Sequence, residues 1–166
     1  MPAVIVDSSV LISLAAGEQF ALLRDLYQTI HVPPAVCAEI SVGRAGWGVR
    51  EIVDAQNEGW IVAKAPTGLS RVKVLAFNLQ AGEIEALALA LDFPEAHVIV
   101  DDAPGRRAAQ ALGLAYTGTV GVLIRAKAER KIAALRPVLD LMKQRTTFRL
   151  SEQILQAALR TVGEAS

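Results

Sequence analysis

Short apolar runs alternate with longer segments of helical periodicity along the chain. Apolar runs bounded by turn residues are typical of buried strands, and apolar residues three or four apart are typical of helices. The predicted strands are 3–6, 30–32, 60–63, 97–100 and 114–116. The predicted helices are one that continues through 11–14, then 19–27, one that begins at 34 and includes 36–40, then 49–57, 72–78, 82–91, 104–112, 119–131, 136–145 and 151–162.

Two of these helices have clear start signals. Ser8 or Ser9 is expected to be the N-cap of the first helix, because a serine hydroxyl can accept a hydrogen bond from a free backbone N–H there. Pro34 suits the first turn of its helix, where the missing N–H costs nothing.

The alternation of strands and helices predicts an α/β fold with right-handed crossovers and a parallel sheet. We expect a three-layer α/β/α arrangement around a short, mainly parallel sheet, with extra C-terminal helices. A chain of 166 residues without repeats or a linker fits one domain. The expected domain is therefore 1–166, in which 136–166 is a C-terminal helical extension.

Composition favours a globular protein with one sizeable core. Hydrophobic residues make up 52% of the chain and charged residues 20%, which excludes a disordered chain. The only cysteine, Cys37, cannot form an internal disulfide or a zinc site, so we expect a reducing, cytoplasmic location. The apolar start is interrupted by Asp7 and has no basic segment, so neither a signal peptide nor a membrane span is expected.

Charge restricts the kind of nucleic-acid site that the chain can form. Lysine and arginine number 17, aspartate and glutamate also number 17, and the formal net charge is zero. Proteins that bind nucleic acid without specificity are usually basic. A nucleic-acid site in this chain must therefore come from local separation of charge.

Acidic residues follow two of the predicted strands. Asp7 comes after the first strand, and the Asp101–Asp102 pair comes after the fourth. Ligands of open parallel sheets bind at the carboxyl ends of the strands. Glu39 and Glu83, on two predicted helices, are candidates for the same site. Carboxylates brought together repel unless a cation or proton compensates, and oxygen ligands without histidine or cysteine suit Mg²⁺ or Mn²⁺.

Each acidic residue also has a purely structural interpretation. Asp7 is in position to cap a helix, Glu39 to face solvent, and the aspartate pair to begin a turn. Glu83 lies at a helix start, where the helix dipole favours negative charge. Glu83 and Glu85 differ by about 200° around their helix, so only one can face the site. We expect Glu83 to face it and Glu85 to be peripheral.

The remaining polar and aromatic residues leave alternatives open. Arg106 and Arg107 are placed either to contact phosphates or on a solvated helix face. The basic run on a later helix is either an RNA-binding patch or ordinary surface; it comprises Lys127, Arg130 and Lys131. The residues expected to have structural roles are His31, His97, Cys37, Trp47 and Trp60.

Four segments together resemble the PIN-domain family. In chain order they are VIVDSSVLISLA, VPPAVCAEI, GEIEALALA and VIVDDAPGRRAAQALGLAYTGTVGVL. Within them Asp7, Glu39 and Glu83 match the first three acidic positions. Asp101 and Asp102 both fit the fourth position, and the motif register favours Asp102. The last two segments resemble a bacterial and archaeal branch usually described only as predicted nucleic-acid-binding proteins.

The resemblance implies a metal-dependent ribonuclease that uses Mg²⁺ or Mn²⁺ and acts on RNA. The five carboxylates would be catalytic and metal-binding residues, supported by Ser9 two positions after Asp7. Well-known small members, the VapC-like group, are toxins of toxin–antitoxin pairs. They usually form homodimers, and an antitoxin protein blocks the acidic cleft. The resemblance implies the same partners for this chain, and no membrane.

Other classes fit the residues less well. A non-catalytic RNA-binding or partner-binding PIN module would keep the fold, but in this chain all the acidic positions are filled. A haloacid-dehalogenase-like phosphatase needs a second aspartate where this chain has Ser9. A Rossmann enzyme needs a glycine-rich turn after the first strand, and neither that turn nor a P-loop lysine motif is present.

Overall fold

A five-stranded sheet forms the centre of the protein. The computed structural model describes residues 1–43, 46–75 and 78–164. The strands are β1 (Ala3–Val6), β2 (Ile30–Val32), β3 (Ile61–Ala63), β4 (Ala96–Ile99) and β5 (Ala115–Thr117). Their order across the sheet is β3-β2-β1-β4-β5, and every neighbouring pair is parallel. The predicted parallel sheet is thus confirmed, with each strand within one residue of its expected bounds.

Helices connect the strands and cover both faces of the sheet. Those in the described residues are α1 (Ser8–Ala16), α2 (Leu22–Tyr27), α3 (Pro34–Ser41), α4 (Val49–Asn57), α5 (Ser70–Lys73), α6 (Ala81–Leu91), α7 (Ala103–Ala111), α8 (Thr119–Ala128), α9 (Leu135–Arg145) and α10 (Glu152–Thr161). None of these helices is long and apolar enough to cross a membrane.

Several helix boundaries differ from those predicted. The N-cap of α1 is Asp7, and Ser8 and Ser9 lie inside the helix, so the expected serine cap is wrong. The helix expected at 19–27 begins at Leu22. The one expected at 72–78 is α5, four residues long, and residues 76 and 77 lie outside the described part of the chain.

The helix expected at 119–131 ends three residues early because the chain turns out of the helix. Arg130 has a positive φ of 58°. The backbone N–H of Lys131 then reaches back to the carbonyl of Ala126 at 2.7 Å. This is the hydrogen bond of a Schellman turn, which closes a helix.

The core lies in two layers, one on each face of the sheet. Alternate residues of a strand point to opposite faces. Val4 and Val6 of β1 accordingly belong to a cluster with α1, α8 and α9, whereas Ile5 between them belongs to a cluster with α6 and α7. The structure is therefore the three-layer α/β/α fold that the sequence predicts.

The C-terminal helices are fastened to this body. Leu135, Leu139 and Met142 of α9 are buried in the cluster that contains α1. Beyond α10, the carboxylate of Glu164 accepts hydrogen bonds from the backbone N–H of Leu135 at 2.6 Å and from the ammonium of Lys127 at 3.1 Å. The last helix is thereby held against the start of α9.

The strand order places two acidic segments side by side. From β1 the chain passes to β2 and β3 on one side of the sheet, and then returns to β4 and β5 on the other side. The direction of winding reverses between β1 and β4, which makes their carboxyl ends a topological switch point. Asp7 and Asp101 follow these two strands, and the backbone N–H of Asp7 bonds to the carbonyl of Ile99 at 3.1 Å.

Candidate functional site

Asp7 is a buried carboxylate with one oxygen free of donors. Its residue is 2% exposed, because it lies between the end of β1 and the start of α1. Oδ2 accepts a long hydrogen bond of 3.3 Å from the hydroxyl of Ser9. Oδ1 is buried and has no hydrogen-bond partner. Burial, together with the negative charges of Glu83 and Glu39, raises the pKa of Asp7 to about 7.

Glu83 combines a helix-capping role with a place in the same pocket. Its Oε2 accepts the backbone N–H of Gln80 at 2.9 Å, and the Gln80 side chain completes a capping box at the start of α6. This bond fixes the carboxylate and leaves Oε1 buried without a donor. Burial and the nearby charges of Asp102 and Glu39 raise the pKa of Glu83.

Glu39 links three helices at the edge of the pocket. The hydroxyl of Ser8 donates to its Oε2 at 2.6 Å, and the backbone N–H of Gly82 donates to its Oε1 at 2.7 Å. A Cβ at position 82 would lie 2.7 Å from Oε1, so only glycine permits this approach. Glu39 therefore is not a freely solvated helix residue, and it connects α3 to α1 and α6.

The adjacent aspartates Asp101 and Asp102 have different surroundings. Both oxygens of Asp101 accept hydrogen bonds from Thr119, from its backbone N–H at 2.8 Å and from its hydroxyl at 2.6 Å. Burial raises the pKa of Asp101, and the Thr119 bonds oppose the rise. Asp102 is exposed, is the N-cap of α7 and makes no side-chain capping bond.

Asp102 and Glu83 approach each other closely. The negative charge of Asp102 is among the causes of the raised pKa of Glu83, which requires the two side chains to be neighbours. When both are ionised, neither has a proton to donate, so a cation or a shared proton must compensate their repulsion. This arrangement supports Asp102, more than Asp101, as a residue that can bind an ion.

Glu85 lies outside the cluster, on another side of α6. Its Oε2 accepts the backbone N–H of Ala35 at 2.9 Å, at the start of α3. A negative charge at a helix N-terminus is favourable. Glu83 and Glu85, two positions apart on α6, therefore have different roles. Glu83 belongs to the carboxylate cluster, and Glu85 caps the start of α3.

All five predicted carboxylates line one cavity of about 770 Å³. Asp7, Asp101 and Asp102 come from the carboxyl ends of β1 and β4, and Glu39 and Glu83 come from α3 and α6. We call these five residues the acidic floor. Further lining residues come from β5, from the start of α8, and from 146–151 and 154. Bringing these carboxylates into one cavity concentrates negative charge in a protein whose net charge is zero.

Sequence reasoning missed several residues that hold the carboxylates of this cavity in place. Ser8 and Thr119 donate to carboxylates, and Gly82 donates through its backbone. Thr119 follows a glycine at a strand–helix junction, which by itself does not indicate a partner for its hydroxyl. Only its complete burial in the structure requires one. Nothing in the pattern of 146–154 indicates that this segment closes the cavity.

The basic residues have different surroundings. Arg106 lines the cavity, and its positive charge opposes the rise in the pKa of Asp101 that burial causes. Arg107 is exposed and is not among the lining residues. Lys127 bonds to Glu164, so this member of the basic run is committed to the fold. Arg130 and Lys131 are exposed at the end of α8.

The remaining residues expected to be structural lie in packed environments. Trp60 packs against Phe20 with ring centroids 5.7 Å apart, and His31 packs against Phe93 at 4.9 Å. Burial lowers the pKa of His31, and it also lowers the pKa of His97. Cys37 and Trp47 are partly buried against the core that contains α1.

The cavity has carboxylate oxygens that suit a hard divalent cation, but among the described residues it does not gather three ligand side chains around one point. Asp7 Oδ1 and Glu83 Oε1 are buried carboxylate oxygens without donors, as expected for atoms that bind a cation. No group of three acidic, histidine or cysteine side chains in the described part of the chain is already gathered around one point. Mg²⁺ usually takes one or two carboxylates and keeps several waters, so two free oxygens suffice.

The fold and the site define a class of protein: a parallel α/β domain with a carboxylate pocket at its topological switch point. A family model described as a PIN domain matches residues 3–164. The chain belongs to the PIN-domain family, whose members are generally nucleases. A search of curated proteins finds no match to the chain.

Proposed function

We propose that this protein is a Mg²⁺- or Mn²⁺-dependent endoribonuclease that hydrolyses phosphodiester bonds of RNA at the carboxylate pocket. The main support is the pair of buried oxygens, Asp7 Oδ1 and Glu83 Oε1, which have no donor in a cavity rich in negative charge. A protein that needed these carboxylates only for its fold would be expected to supply donors to them.

The residues divide into ion-binding and positioning groups. Asp7, Glu83 and Asp102 would hold the cation, because each has a carboxylate oxygen with no protein donor or a close carboxylate neighbour. Asp101 and Glu39 are held by Thr119, Ser8 and Gly82 and would maintain the charge and shape of the pocket.

A bound Mg²⁺ or Mn²⁺ would supply positive charge for the phosphate oxygens and favour deprotonation of a water. The chain itself orients the substrate. Arg106, exposed on the cavity lining, can contact a neighbouring phosphate. Asp7 is 2% exposed, so the part of the pocket around it has little contact with bulk water.

Cleavage of a labelled single-stranded RNA with and without Mn²⁺ tests this proposal. We expect Mn²⁺-dependent cleavage by the unmodified protein and its loss in Asp7→Asn. Asp140→Asn is the matched control, because Asp140 is exposed on α9 and does not line the pocket. If Asp7→Asn and the unmodified protein cleave RNA equally well, the carboxylate pocket is not the site of cleavage.

One observation favours a second candidate, a non-catalytic RNA-binding or partner-binding module. Within the described residues, no three ligand side chains are gathered in advance, and Asp101 and Glu39 are already satisfied by protein donors. Such a module would bind RNA or a protein partner and show no metal-dependent cleavage. The same assay therefore separates the two candidates.

A toxin role, with an antitoxin protein and a homodimer, is the most specific form of the nuclease proposal. Its support is the resemblance to the VapC-like group and the open acidic pocket that an antitoxin segment could enter. Induced expression in bacteria is expected to arrest growth, and Asp7→Asn is expected to relieve the arrest. Normal growth with active, soluble enzyme would exclude the toxin role, and sedimentation tests the dimer separately.

A further inference from the structure

The pocket is much larger than a cation requires. Its volume of about 770 Å³ falls in the range of pockets that enclose small organic ligands. Besides the carboxylates and several polar residues, apolar and aromatic side chains line it. We call four of these side chains the aromatic wall; they are Tyr116, Phe148, Leu150 and Ile154.

The loop that presents Phe148 is fixed by hydrogen bonds. The hydroxyl of Thr146 donates to the carbonyl of Met142 at 2.7 Å and accepts the backbone N–H of Phe148 at 3.0 Å. Arg149 donates through Nη1 to the carbonyls of Lys143 and Phe148 at 3.1 and 2.7 Å. The position of the Phe148 backbone is therefore set before any ligand arrives.

Tyr116 contributes an aromatic ring that the core does not use. It lies on β5, an edge strand, and pairs with Val98 on one side only. Its residue is 38% exposed, and Ile154 beside the same cavity is 49% exposed. Accessible apolar and aromatic side chains that line a cavity together with a few polar groups are typical of ligand pockets.

We propose that Tyr116 and Phe148 form a stacking site for one unpaired nucleobase of an RNA strand whose backbone runs past the carboxylates. This inference rests on the proposed function and adds a base-binding subsite to it. Base faces stack on aromatic side chains, and such stacking is largely independent of sequence. A base inside a duplex is not available, so the subsite selects single-stranded RNA.

The chemistry of the cavity favours a nucleotide over a protein segment. One continuous cavity joins the aromatic wall to Arg106 and to a floor of carboxylates that calls for a cation. Its occupant should therefore have a flat apolar group linked closely to an anionic group. A nucleotide has both, whereas an apolar peptide side chain supplies only the first.

Equilibrium binding tests the subsite without relying on cleavage. A fluorescent single-stranded RNA of about ten nucleotides is titrated in Ca²⁺, a hard cation that carboxylates also bind, with a gel to confirm that the RNA stays intact. The parent is the protein with its carboxylates unchanged, and it is compared with the same protein carrying Tyr116→Ala or Tyr116→Phe. We expect Tyr116→Ala to weaken binding about fivefold to a hundredfold, and Tyr116→Phe, which keeps the ring, to bind as the parent does.

A second arm identifies the stacked base. Each nucleotide is replaced in turn by an abasic residue. At one position the replacement should weaken binding as much as Tyr116→Ala does, and it should cause no further loss in the Tyr116→Ala protein. Because Tyr116 is exposed, the melting temperatures of Tyr116→Ala and its parent should match. Phe148→Leu, which keeps an apolar side chain in the loop but removes the ring, should also weaken RNA binding.

Three outcomes would overturn the subsite. These are equal binding by Tyr116→Ala and its parent, additive losses at every abasic position, and a duplex that binds as tightly as the single strand. If the folded protein binds no RNA at all, the stacking site is also excluded, and a protein partner becomes the better occupant of the aromatic wall. If RNA binds through Tyr116 but the unmodified protein never cleaves it, the stacking site is supported and the nuclease proposal is excluded. If the protein cleaves RNA equally well with and without the Tyr116 ring, the nuclease proposal is supported and the stacking site is excluded.

Discussion

The negative charge of Glu83 lies close enough to Asp7 to raise the pKa of the Asp7 carboxyl, although the two residues are distant in sequence. Each has one buried oxygen without a donor. One follows the central strand, and the other is held by a capping box at the start of α6. Their proximity makes the stability of the fold sensitive to pH and to cations.

Without divalent cations, stability is expected to fall as pH rises from about 4 to about 7. Folded Asp7, with a pKa of about 7 against an ordinary 3.8, keeps a proton that the unfolded chain releases in this window. The folded state binds more protons there, so the free energy of unfolding decreases with pH, by on the order of 4 kcal/mol for Asp7 alone. The raised pKa of Glu83 acts in the same direction.

Urea unfolding in EDTA at several pH values measures this effect. Asp7→Asn cannot ionise at that position and should lose less stability over the window. The lowered pKa values of Asp92 and Glu164 favour folding at higher pH, but they are common to both proteins and cancel in the comparison. If the free energy of unfolding changes with pH in the same way in both proteins, ionisation of Asp7 does not destabilise the fold.

Divalent cations are expected to raise the melting temperature at neutral pH. An ion bound only to the folded state stabilises it, and relief of the repulsion at Asp7 and Glu83 adds to this. Millimolar Mn²⁺ should shift the melting temperature of the unmodified protein and of Asp140→Asn by several degrees, but not that of Asp7→Asn. An equal shift in all three would indicate binding elsewhere.

Gly82→Ala is expected to disrupt the link between Glu39 and α6. The added Cβ would lie 2.7 Å from Glu39 Oε1, so the carboxylate must move away from the Gly82 N–H. Loss of this charge-assisted hydrogen bond is expected to cost about 1.5–3 kcal/mol. That exceeds the gain of about 1 kcal/mol from replacing a glycine inside a helix by alanine. Gly68→Ala is the control, because a Cβ there meets nothing within 4 Å. Comparable stability of the two variants in thermal unfolding would contradict the proposed constraint.

Thr119→Val tests how Asp101 is positioned. The change keeps the shape of the side chain but removes the hydroxyl that donates to Asp101 Oδ2 at 2.6 Å. We expect a loss of about 1–3 kcal/mol in unfolding free energy, since a mostly buried carboxylate loses one of its donors. Thr119→Ser, which keeps the hydroxyl, should recover most of it. If serine is no better than valine, the methyl packing matters and the hydrogen bond does not.

Local patterns were sufficient to predict the sheet but not the donors around the carboxylates. The apolar runs that end in Asp7 and Asp101 indicated strands and their carboxyl ends. Ser8 resembled an N-cap by sequence, yet its hydroxyl bonds to Glu39, which is 31 positions away. Thr119 bonds to Asp101 across 18 positions. Such partners depend on how helices pack, which no short window of sequence records.

The position of the aromatic wall depends on packing in the same way. Tyr116 and Phe148 reach the cavity because β5 is an edge strand and because α9 is buried against α1. The sequence shows two ordinary aromatic residues in separate segments. Only the tertiary arrangement places them in the same cavity as the acidic residues.

The central claim is that Asp7 and Glu83 bind a cation, and anomalous diffraction from crystals soaked in Mn²⁺ tests it most directly. We predict an anomalous peak within coordinating distance of Asp7 Oδ1 and Glu83 Oε1, with Asp102 beside it, and no such peak in Asp7→Asn crystals. A soaked crystal in which these two oxygens remain free of manganese, while the protein is folded and the pocket open, would contradict the account.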